Sequence, residues 1–362
     1  MTGRERVLAA FDFRQSDKIP LDINSQFSSG INAYAYRDLR NYLDLPRKPL
    51  YIYDFEQQLA IVEKDVLDFF DADIVQLGCD TRIINKYRDK EKYWKRWLLE
   101  DGAPCEIPLE KNDYMSMYEK INNPNEIKIF RETAAATRDS TDRAVYWDFG
   151  GGLAQEGFAF FKMENFLHDL LADPDNMQTF LDSVTEKHLT NLKTYLAASG
   201  KYIDIIGFND DMGSQSAPFF SPEIYQKFFY PRHKMMWSYI HENFPGIKIC
   251  LHSCGALRPL LPLFIKAGLD AINPVQYTCK DMALKDIKNE FGKKLVFWGG
   301  GCDPNLMLPE SKAEDIRSSV IENISILRNS GGFIFQPVHN ILRGMSAENI
   351  VTMYKTAREY SF

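Results

Sequence analysis

The sequence lacks the features that mark membrane-spanning, secreted and nucleic-acid-binding proteins. It contains no run of about 18 apolar residues, so we expect no transmembrane helix. The start, Met1-Thr2-Gly3-Arg4-Glu5-Arg6, leads into a mixed polar segment and not into the apolar core of about 7–15 residues that a signal peptide needs. No long basic run occurs and the formal net charge is -7. This charge argues against a nucleic-acid or anionic-membrane partner.

Cysteines are few and irregularly spaced, at positions 79, 105, 250, 254, 279 and 302. They form no disulfide framework, so we expect a protein of the reducing cytoplasm whose thiols are free for metal binding or catalysis. No Gly/Ser-rich linker and no repeat divides the 362 residues. The balance of 45% hydrophobic and 26% charged residues is typical of a globular protein. We therefore expect one domain over residues 1–362.

Short β-rich runs alternate with longer segments of helical period. Strands are predicted at residues 72–77, 144–149, 202–208, 247–251, 271–275, 295–298 and 333–335. Helices are predicted at residues 174–198, 223–244, 257–267, 283–291, 313–328 and 347–360. This alternation is typical of parallel βαβ units. With about eight strands in one long domain, it predicts a (β/α)8 TIM barrel. Residues 80–140 are polar, aromatic and charge-dense, and we interpret them as an irregular insertion, a hairpin with loops.

Polar side chains gather at the predicted C-terminal ends of five successive strands, where barrel enzymes place their active sites. One of these ends reads Leu251-His252-Ser253-Cys254-Gly255. Residues i and i+2 of an extended chain point to the same side, so an imidazole and a thiol leave this strand together. The pair is either half of a metal site or part of a buried strand with a hydrogen-bonded histidine and a small apolar cysteine.

The ordered set of strand-end motifs resembles the uroporphyrinogen decarboxylase superfamily, and more closely its corrinoid-linked methyltransferase branch of the methylcobamide:coenzyme M type. The resemblance covers nearly the whole chain. It rests on Arg4-Glu5-Arg6-Val7-Leu8-Ala9-Ala10-Phe11, Asp17-Lys18-Ile19-Pro20-Leu21-Asp22, Asp210-Asp211-Met212-Gly213, Ser221-Pro222, Pro231, His252-Ser253-Cys254-Gly255, Asn273-Pro274-Val275-Gln276, His339 and Glu348-Asn349-Ile350.

The resemblance implies a zinc site. In that branch an H-x-C pair and a later cysteine bind zinc, which activates a thiol for attack on a corrinoid-bound methyl group. His252 and Cys254 match the pair, whereas the family's late cysteine aligns with His339. Cys302 follows the preceding strand, so either Cys302 or His339 completes an acceptable zinc set. The alternative is that Cys254 and Cys302 are small fillers and His339 is a hydrogen-bonding histidine.

Other strand-end residues have weaker functional interpretations. Asp210 and Asp211 correspond to an aspartate pair that orients substrate or acts as acid and base in relatives; the alternative is a helix cap and a surface acid. Asn209, Asn273 and Gln276 are candidate substrate ligands. Asn273 and Gln276 could instead support the metal ligands or form the turn around Pro274.

The resulting hypothesis is a zinc-dependent methyltransferase that moves a methyl group between a corrinoid protein and a small thiol or methyl donor. A decarboxylase is the first alternative. True porphyrinogen decarboxylases carry an arginine-rich signature, roughly R-Q-A-G-R, whereas this chain has Arg14-Gln15 followed by Ser16-Asp17-Lys18. A non-catalytic barrel that partners a corrinoid protein is the second alternative. The identity of the donor and the acceptor and the oligomeric state, with a homodimer as one option, stay open.

Overall fold

The computed structural model describes residues 1–87, 94–108 and 123–360. The strands of these residues are β1 (Ile31–Asn32), β2 (Leu50–Asp54), β3 (Leu59–Ala60), β4 (Ile74–Gln76), β5 (Trp94–Leu98), β6 (Pro104–Pro108), β7 (Ala144–Gly150), β8 (Ile205–Asn209), β9 (Lys248–His252), β10 (Ala271–Asn273), β11 (Val296–Trp298) and β12 (Phe333–Ile334). Each of the predicted strands overlaps one of them.

Each of the six predicted helices overlaps an observed one, and the structure adds helices that were not predicted. The helices are α1 (Gly3–Phe11), α2 (Ala33–Tyr42), α3 (Lys64–Phe69), α4 (Thr81–Tyr87), α5 (Pro124–Asp139), α6 (Leu153–Phe161), α7 (Met163–Ala172), α8 (Pro174–Ser199), α9 (Pro222–Ile224), a π-helical turn (Tyr225–Phe229), α10 (Tyr230–Asn243), α11 (Leu261–Ala267), α12 (Leu284–Phe291), α13 (Ala313–Leu327) and α14 (Ala347–Glu359). Over the described ranges, no helix is both long and apolar enough to cross a membrane.

Seven strands form one parallel sheet in the order β12-β11-β10-β9-β8-β7-β4. Residues 20–22 join its two edges. On one side the Asp22 N–H donates to the Phe335 carbonyl at 2.9 Å, and on the other the Asp73 N–H donates to the Leu21 carbonyl at 2.9 Å. Residues 20–22 therefore serve as the first barrel strand, and the predicted (β/α)8 barrel is confirmed.

The region predicted as an irregular insertion is only partly irregular. The strands β5 and β6 pair as an antiparallel hairpin and extend an accessory sheet with the order β1-β3-β2-β6-β5. Helix α5 is a regular barrel helix between β4 and β7, with Pro124 in its first turn and the Asn123 side chain accepting the Asn125 N–H. The expectation that the insertion runs to residue 140 is therefore wrong at its C-terminal end. The prediction also covers residues 88–93 and 109–122, which lie outside the described residues.

The barrel interior changes from apolar to polar towards the C-terminal ends of the strands. The apolar layer consists of residues such as Ile74, Ala144, Tyr146, Ile205, Cys250, Ala271 and Ile334. Side chains alternate along a strand, so the next inward residues stand two positions further on, or four in β8, where Gly207 comes between Ile205 and Asn209. These residues form what we call the polar layer: Gln76, Asp148, Asn209, His252, Asn273 and Gln336. The fold thus concentrates polar groups at the mouth of the barrel.

Candidate metal centre

Three side chains meet above the polar layer, and we call them the ligand cluster: His252, Cys254 and His339. His252 ends β9, Cys254 lies two residues further on, and His339 is in the loop after β12. One candidate ligand atom from each lies within 4.8 Å of the other two, and all three residues are partly buried. The cluster therefore brings two imidazoles and one thiol to a single point at the barrel mouth.

The spacing and chemistry of the ligand cluster fit a zinc ion. Cys254 Sγ lies 3.6 Å from His252 Nε2. With sulfur about 2.3 Å and nitrogen about 2.0 Å from zinc, a tetrahedral angle separates the two ligand atoms by about 3.5 Å. Imidazole and thiolate ligands suit zinc better than magnesium. Three protein ligands leave one position for substrate, as in catalytic zinc sites.

Asn273 sets the orientation of His252. The Asn273 Nδ2 donates to the Trp298 carbonyl at 3.1 Å, which directs Oδ1 towards the imidazole. This oxygen accepts hydrogen bonds from His252 Nδ1 at 2.8 Å and from Ser28 Oγ at 2.6 Å. With Nδ1 directed at this oxygen, Nε2 points towards Cys254, where it is placed to act as a ligand. Asn273 is fully buried and orients His252, which corresponds to the supporting role among the three considered from the sequence.

Asn340 holds His339 in a similar way. The Asn340 Nδ2 donates to Gln57 Oε1 at 2.7 Å, and Asn340 Oδ1 lies 2.6 Å from His339 Nδ1. Burial, and then the neighbouring His252, lowers the pKa of His339 below its usual value. Both effects favour the neutral imidazole, which is the form that binds metal.

Asp211 contacts both residues of the H-x-C pair. Its Oδ1 accepts the Cys254 N–H at 2.8 Å and lies 3.6 Å from His252 Nε2. Burial, and then the Asp211 carboxylate, raises the pKa of the Cys254 thiol above its usual value. Without a bound cation the thiol keeps its proton, and metal binding would release it.

The Cys254 loop is held by backbone contacts that require glycine. Gln276 Oε1 accepts the Gly255 N–H at 2.6 Å, so Gln276 positions this loop. Gly255 has φ of 105°, and an added Cβ would lie 2.5 Å from the carbonyl carbon of Gly213. A side chain at position 255 would therefore displace the loop that carries Cys254.

Comparison with known proteins assigns the chain to a family. Residues 114–360 match the family Uroporphyrinogen decarboxylase (URO-D). The chain belongs to the URO-D family. It is 22% identical over 188 residues to the uroporphyrinogen decarboxylase of Synechocystis sp., and 22% identical over 191 residues to that of Microcystis aeruginosa. These alignments cover 52% and 53% of this chain, and 49% and 50% of the two proteins. The chain thus matches about half the length of these curated relatives.

A solved structure with the same fold spans the whole chain. It is a methyltransferase from Methanosarcina mazei, with a TM-score of 0.64 and 17% sequence identity over 99% of both chains. At this identity the similarity establishes the URO-D barrel fold and leaves the chemistry to be inferred from the site.

The structure shows where Arg14-Gln15, the segment compared with the decarboxylase signature, lies in the barrel. Arg14 lies at the N-terminal end of the barrel, next to Gly331, which stands just before β12. A Cβ atom added at Gly331 would lie 2.9 Å from the backbone nitrogen of Arg14. The loop at the mouth is instead residues 23–29, directly after the first strand, and we call it the first-strand loop. It contains Ser25-Gln26-Phe27-Ser28-Ser29 and no arginine or lysine. Arg14 therefore lies away from the mouth, and the first-strand loop itself carries no arginine or lysine.

Cys302 is not part of the ligand cluster. Its side chain is fully buried in the outer core, in the same apolar cluster as Met307 and Ile316, and its Sγ lies 3.6 Å from the Asp303 carbonyl. Gly299 and Gly300 have φ of 100° and 77°, which ends the strand alternation before Cys302. The prediction of Cys302 as a ligand is thus contradicted by the geometry, and the residue that the structure brings to the H-x-C pair is His339.

Asp210 and Asp211 point in opposite directions. The Asp210 carboxylate accepts the N–H groups of Leu153, Ala154 and Gln155 at 2.9–3.2 Å, at the start of α6. It is 1% exposed. A carboxylate fully engaged in this way caps a helix, so the expected catalytic role of Asp210 is wrong and only Asp211 faces the site.

Asn209 belongs to the polar layer, where its Nδ2 donates to Asp148 Oδ1 at 2.6 Å. It therefore lies at the mouth, as expected of a candidate substrate ligand. The sequence interpretation missed Ser28, Asn340 and Gln57, which support the histidines. Asn340 is adjacent to His339 and could have been found, whereas Gln57 is 283 residues away from Asn340 and comes from the accessory sheet.

Proposed function

We propose that this URO-D family member is a zinc-dependent methyltransferase that moves a methyl group between a corrinoid protein and a small thiol or methyl donor. The observation that carries the proposal is the ligand cluster at the mouth of the barrel. Its donor atoms, its spacing and the orientation of both histidines suit a three-ligand zinc site with one position for substrate.

His252, Cys254 and His339 would hold the zinc ion. The bound ion would act as a Lewis acid, lowering the pKa of a substrate thiol or polarising the oxygen of a methyl donor. The chain's own contribution is orientation. Asn273 and Asn340 fix the two imidazoles, and Asp211 fixes the backbone of Cys254.

Asp211 is the group we assign to the substrate proton. Its Oδ1 lies 3.6 Å from His252 Nε2, and its side chain is 39% exposed, so it faces the mouth. A thiol that binds beside it would donate its proton to Asp211 or to solvent. The bond from sulfur to the methyl carbon would then form as the bond from that carbon to its donor breaks.

The decarboxylase alternative receives less support from the mouth. Uroporphyrinogen carries eight carboxylates, which require cationic partners. The first-strand loop has serine, glutamine and phenylalanine where a clamp would stand. Because two sequence relatives are decarboxylases, the experiment below compares decarboxylation directly with methyl transfer.

Two parallel assays test the proposal. The purified, zinc-equilibrated chain is incubated with uroporphyrinogen in one, and in the other with methylcobalamin plus thiols or with cob(I)alamin plus methyl donors. We expect the cobalamin spectrum to change and the change to vanish with a zinc chelator. Loss of carboxylates from uroporphyrinogen with an unchanged cobalamin spectrum would favour the decarboxylase. A chain that binds a corrinoid protein but no metal would favour the non-catalytic partner.

A further inference from the structure

A tyrosine of the accessory sheet reaches the mouth of the barrel. Tyr53 lies in β2, and its ring stacks on Phe27 of the first-strand loop with the ring centroids 5.8 Å apart. The groups that act electrostatically on its hydroxyl include Cys79, which follows β4, and Asp148, which belongs to the polar layer. Tyr53 therefore directs its hydroxyl to the side of the mouth formed by the ends of β4 and β7.

This hydroxyl is a buried donor. Within residues 1–87, 94–108 and 123–360 the Tyr53 hydroxyl has no hydrogen-bond partner. Burial, and then the neighbouring Cys79, raises the pKa of Tyr53 well above its usual value, so the hydroxyl keeps its proton at neutral pH. Buried polar groups are normally hydrogen-bonded. The Tyr53 hydroxyl is therefore suited to an acceptor atom that a bound ligand supplies.

Gln26 offers a second donor on the same wall of the mouth. Its Oε1 accepts the Tyr146 hydroxyl at 3.3 Å, in a space that exists because an added Cβ at Gly207 would overlap that hydroxyl. With Oε1 engaged, Nε2 is the end of the amide that is left, and it has no partner in the described part of the chain. Gln26 is 1% exposed and directly precedes Phe27, the residue that contacts Tyr53.

The two donors stand across the mouth from the ligand cluster. In the closed barrel, residues 20–22 are followed in order by β4, β7, β8, β9, β10, β11 and β12. The ligand cluster comes from the ends of β9 and β12, and in a ring of eight strands the point midway between these two lies opposite the gap between β4 and β7. A substrate whose reacting atom is held at the ligand cluster would thus extend its other end towards Tyr53 and Gln26.

From this arrangement we propose that Tyr53 and Gln26 form a tail subsite, which donates hydrogen bonds to a carbonyl oxygen at the far end of the substrate. The substrate class is a small thiol or methyl donor with an amide or ester tail. The inference rests on the proposed function, because it names the substrate class of the same site. Both donors are uncharged, so the subsite distinguishes a carbonyl from an alkyl group of the same size and charge.

Pairs of neutral thiols with tails of equal size test the inference. One pair is 3-mercaptopropionamide and 3-methyl-1-butanethiol, and a longer pair is 4-mercaptobutanamide and 4-methyl-1-pentanethiol. Each thiol is titrated calorimetrically into the full-length, zinc-equilibrated protein. We expect the amide to bind at least about tenfold more tightly than its alkyl partner in at least one pair, because the alkyl tail leaves the buried donors without an acceptor.

Single-residue variants assign the preference to the subsite. Tyr53→Phe removes only the hydroxyl, and Gln26→Met replaces the amide by an apolar side chain of similar length. Each should reduce the preference for the amide about fivefold and leave the affinity for the alkyl thiol unchanged. Tyr51→Phe is the matched control. It removes a hydroxyl from the same strand, where the Tyr51 ring contacts Trp94 with centroids 4.9 Å apart, and should leave both affinities unchanged.

The outcomes separate this inference from the proposed function. Equal or tighter binding of the alkyl thiol in both pairs, no binding of any thiol, or an amide preference that persists in Tyr53→Phe and Gln26→Met would overturn the tail subsite. Equal binding of amide and alkyl thiols, together with methyl transfer from methylcobalamin to both, would overturn it while supporting the methyltransferase. An amide preference that the two variants reduce, without any methyl transfer, would support the subsite and contradict the methyltransferase.

Discussion

At the scale of single residues, the two histidines of the ligand cluster are oriented by the same kind of hydrogen bond. Each directs Nδ1 to an asparagine oxygen, and each asparagine is oriented by a further hydrogen bond through its amide nitrogen. The protons are thereby placed away from the metal position, and both Nε2 atoms are available as ligands. At the proposed zinc site, Asn273 and Asn340 would therefore influence metal affinity without contacting the metal.

Asn273→Ala should weaken zinc binding by about 10- to 100-fold, because His252 loses the acceptor that fixes its tautomer and ring orientation. The measurement is a zinc competition titration with a chromophoric chelator. Asn273→Asp keeps an acceptor oxygen for Nδ1 and should bind zinc more tightly than the alanine variant. Unchanged affinity in Asn273→Ala would show that the Asn273 contact does not serve the metal site.

At the scale of elements, the two aspartates that follow β8 have different roles: we assign Asp210 to stability and Asp211 to function. Asp210 points outward and caps α6, whereas Asp211 reaches back over the mouth to the Cys254 loop. Both follow the same strand, and their burial differs accordingly, with side-chain exposures of 1% and 39%. The sequence pattern predicted the strand end but not which acid faces the site.

Asp210→Asn should lower the free energy of unfolding by about 2 kcal/mol, because it removes a charged acceptor of several N–H groups at a helix N-terminus. Asp211→Asn is the matched control and should lower it by less than about 1 kcal/mol, since this side chain is partly exposed. Urea unfolding followed by circular dichroism measures both. A larger loss in Asp211→Asn than in Asp210→Asn would contradict this division of roles.

At the scale of the whole molecule, the regular part of the barrel was predictable from the sequence. Strands such as β8 to β12 have apolar β-rich runs between capped helices, and the polar residues after them marked the mouth. His252 and Cys254 could be paired because they are two apart on one strand. His339 was a candidate because the family resemblance aligns it with the late zinc-binding cysteine, and it also follows a strand end at the same mouth.

Other parts depended on long-range contacts that local pattern does not encode. Residues 20–22 act as a strand through hydrogen bonds to Phe335 and Asp73 and not through a long apolar run. Gln57 reaches Asn340 from the accessory sheet. Cys302 looked equivalent to His339 in the sequence, but the glycines before it turn its side chain into the outer core.

The central claim is that His252, Cys254 and His339 form a zinc site, and the zinc content of the purified chain tests it most directly. Elemental analysis after equilibration with zinc and dialysis should give one zinc per chain for the parent protein and for Cys302→Ser. Cys254→Ser and His339→Ala should lose the metal but keep the circular dichroism spectrum of the parent, because the apolar barrel core does not include them. Full zinc content in Cys254→Ser, or loss of zinc in a folded Cys302→Ser, would contradict the account.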